Sequence, residues 1–298
     1  MIAEWVLIAA SGYFLLAFTG VADKFLVSKV VKQPIAYAFY TAITGPFSLV
    51  LVPFGARLLS WHVFAMALLS GVFFIAGVYN SYAAISRSSV SRVVPIQGGL
   101  VPLFSFLSAY VILGERLTAT QTAGFFFLVA GAVMISIRKE KGVWTSKALL
   151  YATISAACFA LSSVLTKYTF AHSNFISGMV WTRIGFILPV PFILLFRKNR
   201  EAIFNAPKEA GVRNVALYYS SRATGSVGGF LQNYAVSLGS VSVVNSLQGL
   251  QFVFLLILTS FLSIYHPKVL KEKINANTIT LKLVAIGVIS CGLFLLFK

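Results

Sequence analysis

The stretch Ser86–Ser136, SRSSVSRVVPIQGGLVPLFSFLSAYVILGERLTATQTAGFFFLVAGAVMIS, decides the reading of this chain. It holds an apolar span with Pro95, Gln97, Gly98, Gly99 and Pro102, a short polar turn Gly114-Glu115-Arg116-Leu117-Thr118, and a second apolar span. The pattern returns later. Ser237–Gly249 (SLGSVSVVNSLQG) lies on Ser86–Gly98 without a gap, so that Ser86, Ser89, Val90, Ser91, Val93, Gln97 and Gly98 recur as Ser237, Ser240, Val241, Ser242, Val244, Gln248 and Gly249. Glu115-Arg116-Leu117-Thr118-Ala119 is echoed, after a short insertion, by Glu272-Lys273-Ile274-Asn275-Ala276. A repeat of this length in an apolar chain points to a duplicated membrane module.

Composition agrees. Of 298 residues 58% are apolar and 10% charged, whereas a soluble domain carries about a quarter charged residues to cover its wet surface. Apolar runs recur at about 20 residues, the length of a bilayer-spanning helix. The net charge of +17 sits mainly in short connections between spans, which argues for membrane topology and anionic lipid headgroups, not for nucleic acid. Cys158 and Cys291 lie inside apolar spans with no partner motif, and His62, His172 and His266 lack metal-ligand spacing. No cofactor, metal or ATP-binding loop is expected, and no catalytic set. The N-terminal Met1-Ile2-Ala3-Glu4 lacks a basic leader, so the first span is expected to be retained.

Ten spans are expected, at roughly 5–25, 34–54, 62–85, 90–113, 118–137, 147–168, 174–197, 213–238, 240–265 and 278–297. Thr118-x-x-Gln121 is a capping box opening the fifth, Asn275 or Asn277 a cap for the tenth, and Pro34 opens the second. Arg197–Val212 is expected to be the longest loop. Lys24 and Pro46 match Lys167 and Pro189 at one offset, which also sets Tyr40 against Arg183. The halves, residues 1–142 and 143–298, then hold five spans each. An odd number sends the second half in from the opposite side, as an inverted repeat with a substrate site near midplane.

The proline-bearing span, the turn Leu113-Gly114-Glu115-Arg116-Leu117-Thr118 and the Gly-rich span ending Ala130-Gly131-Ala132-Val133 resemble the EamA-type repeat of the drug/metabolite transporter superfamily. The second half departs from the pattern, with Tyr265–Leu270 inserted before Glu272 and Val253 where the first half has Pro102. The resemblance implies an all-α integral membrane protein of ten helices and a gradient-driven transporter or exporter of a small metabolite. It implies neither the substrate nor the direction. Relatives typically place both termini in the cytoplasm. Here the positive-inside rule puts the side holding Arg138, Lys139, Lys141, Arg197, Lys198 and Arg200 in the cytoplasm and both termini outside, in a cell (plasma or inner) membrane.

Charges at midspan cost about 3 kcal/mol each, which makes Arg222 and Arg183 the sharpest candidates for substrate contact. The alternative for each is a bond to helix-end carbonyls or snorkelling. The acids Glu4, Asp23, Glu115, Glu140, Glu201, Glu209 and Glu272 include none at midspan. A proton-coupled exporter of cations needs one, so the expected substrate is anionic or zwitterionic, for which Arg is the bidentate partner. Gln97, Gln248, Asn245, Asn80, Gln232, Asn233, Tyr40, Tyr219 and Tyr37 would line the path, or else bond between helices. Pro95 and Pro102 would loosen the fourth helix as a gate, and Glu115 is expected to cap a helix or brace an interface. The competing readings are an exporter of neutral amino acids or amphipathic metabolites, and a scaffold or lipid-linked-sugar flippase subunit.

Overall fold

The computed structural model describes residues 4–29, 33–88, 90–136, 145–210, 212–265 and 276–296, all of it helix and short connections. Along the chain run α1 (Glu4–Lys29), α2 (Pro34–Ala42), a 3-10 stretch Gly45–Phe54, α3 (Trp61–Ile85), α4 (Val90–Leu113), α5 (Ala119–Ser136), α6 (Ser146–Ala171) and α7 (Phe175–Ile184). A 3-10 turn Gly185–Ile187 leads to α8 (Pro189–Leu195), α9 (Arg197–Ala210), α10 (Val212–Leu238), α11 (Val241–Ser246), α12 (Gln248–Tyr265) and α13 (Ala276–Leu296). Among the described residues seven segments are long and apolar enough to cross a bilayer, three of them assembled from consecutive shorter helices, so the chain is a multi-pass membrane protein. The other three expected spans fall short for physical reasons. α5 and α13 contribute only shorter apolar stretches. α10 carries Arg222 with Ser220, Ser221, Thr224, Ser226, Gln232 and Asn233, which dilute its hydropathy.

Local chemistry sets the ends. Thr118 and Gln121 form the expected capping box: the Thr118 N–H donates to Gln121 Oε1 (3.0 Å) and the Gln121 N–H to Thr118 Oγ1 (3.2 Å). Thr145, Asn174 and Ser240 cap α6, α7 and α11 through their side chains. α4 runs unbroken through Pro95 and Pro102. Prolines instead coincide with the breaks elsewhere: Pro46 with the 3-10 stretch after α2, and Pro189 with the start of α8. The expected Arg197–Val212 loop is corrected to a helix, α9, whose Arg197 and Glu201 pair at 2.9 Å one turn apart. Its Ile203 is fully buried while Phe204 is exposed. Glu272, Asn275 and the half boundary at 142–143 lie outside the described residues; Asn277 falls inside α13 and not at its cap.

Packing without a hydrophobic drive between helices favours small residues at crossings. α1 packs on α10, α3 on α6, α5 on α13, α4 on α6 and α1 on α12. Where α1 crosses α10, a Cβ on Gly12 would lie 2.8 Å from the Gly228 carbonyl oxygen, and one on Gly228 2.9 Å from that of Gly12. Where α3 crosses α6, Ser155 Oγ donates to the Gly77 carbonyl at 2.8 Å.

The face holding the N-terminus of α1 is stitched across. Gly114, at φ +65°, ends α4 and presents Glu115 to the start of α11. The Glu115 carboxylate accepts from Ser240 Oγ (2.5 Å), the Val241 N–H (3.3 Å) and the Ser242 N–H (3.3 Å). Lys167 stands near it and donates to the Ser237 carbonyl at 3.1 Å. On the same face Asn174 Nδ2 donates to the Gly55 carbonyl and Trp181 Nε1 to that of Arg57. The helix-capping role expected for Glu115 is what the geometry shows.

Candidate functional site

Arg183 and Arg222 each lie against aromatic rings, and those rings belong to one cluster of α2, α3 and the turn after α7. Arg183 ends α7, beside the 3-10 turn that breaks this span. Its guanidinium stacks 4.9 Å from the Phe186 ring centroid and 5.6 Å from that of Phe74. It reaches α10 as well, since a Cβ on Gly229 would stand 3.9 Å from its Nη2. The residue is half-buried. Among the described residues no carboxylate or carbonyl lies within hydrogen-bonding distance of this guanidinium.

Arg222 lies two turns earlier on α10, with its guanidinium 5.6 Å from the Tyr37 ring centroid. Tyr37 in turn stacks on Tyr82 of α3 at 3.5 Å. Arg222, Ser226, Gly229 and Asn233 share one stripe of α10 by helical spacing. Ser226 is exposed within this stripe, and Asn233 Nδ2 donates to the Gly229 carbonyl on its own helix at 2.7 Å. Tyr40 donates to the Ile203 carbonyl of α9 at 2.9 Å, and Tyr219 stands close to it. The rings against which the two arginines lie, Phe74, Phe186 and Tyr37, belong with Tyr82 to one packed cluster.

The remaining candidates are committed elsewhere. Gln97 donates to Ser155 Oγ (2.8 Å) and accepts from Ser81 Oγ (3.4 Å), tying α4 to α6 and α3. Asn245 donates to Ser105 Oγ (2.8 Å) and accepts from Ser163 Oγ (3.4 Å), with its side chain buried. Gln232 donates to Tyr13 Oη (3.0 Å), whose proton goes to the Val244 carbonyl. Asn80 donates to Ala76 on its own helix. Gln248 is half-buried at the junction of α11 and α12. Each of these hydrogen bonds is an interhelical or intrahelical tie of the kind that holds membrane helices together. Phe74, Phe186 and Tyr82 are site residues that sequence reasoning missed. Phe186, three positions after Arg183, had a helical-spacing signal; Phe74 and Tyr82 had none.

Residues 3–137 match the EamA-like transporter family. An uncharacterized transporter of Archaeoglobus fulgidus is 26% identical over 170 residues, 55% of this chain and 59% of that protein, so the chain spans less than two thirds of this relative's length. A solved crystal structure, described only as that of a protein, shares the fold at a TM-score of 0.69 with 15% identity, over 99% of this chain and 97% of the other.

Proposed function

We propose that this chain is a gradient-driven membrane transporter of a small anionic or zwitterionic metabolite. In this reading it crosses the bilayer ten times in two inverted five-helix halves, residues 1–142 and 143–298, and works by alternating access. The repeat offsets support it. Adding 143 to Gly12 gives Ser155, and subtracting 151 from Gly228 gives Gly77, so the tightest contact of α1 with α10 corresponds to the Ser155–Gly77 contact of α6 with α3. The same arithmetic takes Thr19 to Ser162 and Ser221 to Ser70. Thr19 Oγ1 donates to the Ser221 carbonyl (3.4 Å) and Ser70 Oγ to the Ser162 carbonyl (2.9 Å). Two independent pairs of positions thus meet twice, at two corresponding crossings between the halves.

The observation that carries the substrate class is Arg183. A half-buried cation against apolar rings, with no acceptor among the described residues, has its hydrogen-bonding fork available to a carboxylate or phosphate. The broken spans on either side of Arg183 are the kind of discontinuous helix from which such sites are built. A second reading keeps Arg183 structural, because its place in the last turn of α7 also complements the helix dipole. The substrate would then be a neutral amino acid or amphipathic metabolite.

Ligand-dependent thermal stabilisation separates the two. Amino acids, sugar phosphates, nucleotide sugars and organic cations are to be screened on wild type, Arg183→Gln and Arg222→Ala. The expected result is an anion that raises the Tm of wild type and not of Arg183→Gln. A neutral or cationic ligand stabilising all three alike removes the anionic reading. The proposal also keeps both termini on the non-cytoplasmic face of a cell membrane. A terminal tag reached by label only after permeabilisation contradicts that placement.

A further inference from the structure

An apolar groove of about 570 Å³ runs along the outside of the molecule between α3, α8 and the start of α9. Val72, Leu188, Pro189 and Phe192 form its deep end, next to the Gly71–Gly185 crossing, and Phe196 and Asn199 its other end. The character changes at that second end. Asn199 Nδ2 is taken by the Ile193 carbonyl at 3.0 Å, and α9 begins with the exposed cations Arg197, Lys198 and Arg200. Glu201 answers Arg197 at 2.9 Å; among the described residues no ion pair answers Lys198 or Arg200. Exposed Leu195, Phe196 and Phe204 flank this turn.

We propose that this groove and the first turn of α9 form one site for an anionic phospholipid of the surrounding bilayer. An acyl chain lies along Val72, Leu188 and Phe192, and the phosphate meets Lys198 and Arg200. The order of the parts matches the order within a lipid: apolar at depth, cationic at the interface. A neutral lipid would fill the groove but leave the two cations unanswered, and a soluble protein would not reach the deep end. The site has a consequence for α9. One turn beyond Asn199 and on the same face of α9, Ile203 is fully buried and its carbonyl accepts from Tyr40. A lipid in the groove therefore bears on the face by which α9 packs against α2.

The test adds phosphatidylglycerol or phosphatidylcholine to the detergent-purified full chain and reads Tm. At saturating lipid, phosphatidylglycerol is expected to raise Tm by roughly 5 °C more than phosphatidylcholine does. The difference is expected to vanish in the double variant Lys198→Gln/Arg200→Gln, which alters only surface charge, and in Leu188→Trp, which fills the groove from an exposed position. Native mass spectra should show phosphatidylglycerol retained by wild type and lost from both variants. Equal shifts from the two lipids overturn the site. So does a preference for phosphatidylglycerol that survives in either variant.

Discussion

One crossing between the two halves of the proposed repeat is sealed, and the crossing that the repeat offsets pair with it is not. Near the middle of α3, Gly71 faces Gly185, and a Cβ added to Gly71 would lie 2.5 Å from the Gly185 carbonyl carbon and from the Thr182 carbonyl oxygen. The repeat offsets carry Gly71 to Arg222 and Gly185 to Ala42. One crossing between the halves thus has two glycines, Gly71 and Gly185, where the corresponding crossing has Arg222 and Ala42. Arg222 lies over Tyr37, and α2 packs on α9 through Tyr40 and Ile203. An arginine side chain cannot enter a glycine-sized crossing, so the two crossings cannot close to the same degree. The proposed substrate contact at Arg222 lies at the crossing without the glycines.

The largest effect is expected at the sealed crossing. Gly71→Leu drives its Cβ into backbone that cannot shift locally and costs about 3 kcal/mol or more, read as a collapse of Tm or of monodispersity in detergent. If Gly71→Leu is well tolerated, the two crossings are not different in kind. Next comes Arg183→Gln, which removes a charge-assisted bond to an anionic substrate and weakens its binding about ten- to hundred-fold, with little change in Tm without ligand. Equal affinity in wild type and variant would leave Arg183 a purely structural cation. Glu115→Ala removes three bonds at the start of α11 and is expected to lower stability by about 1–2 kcal/mol. Ser155→Ala should cost about 1 kcal/mol, since the Gln97 amide and the Gly77 carbonyl both lose a partner. Arg222→Gly, which gives the open crossing the residue found at the sealed one, is expected to stay within about 1 kcal/mol of wild type. Thermal melts rank all of these in one series.

Much of this was legible in the chain. The repeat that begins at Ser86 and returns at Ser237 set the helical class, and Thr118 with Gln121 closed the capping box that their spacing announces. Such signals are local: a few residues and one backbone suffice. α9 was not legible as a helix. Its one buried anchor, Ile203, meets Tyr40 from another part of the chain, and its charged, exposed remainder looks like a loop. The fates of Gln97, Asn245 and Gln232 were hidden for a similar reason. Their partners Ser155, Ser105 and Tyr13 are brought together only by the packing of helices. The two midspan arginines stood out because charge is costly in a membrane, whereas the rings around them, Phe74 and Phe186, look in sequence like any other apolar residue.

The most direct test of the account is aqueous access at two corresponding positions, with the native Cys158 and Cys291 replaced by alanine. Ser226 lies one turn beyond Arg222 on the same stripe and is exposed, and its counterpart 151 positions earlier is Ile75, buried at 2%. A charged, membrane-impermeant thiol reagent modifies cysteine only where water reaches. Ser226→Cys is expected to react from the α9 face and to be shielded by an anionic ligand, while Ile75→Cys stays unmodified. If Ser226→Cys is as inert as Ile75→Cys, its exposure is to lipid and no water-filled space lies at Arg222.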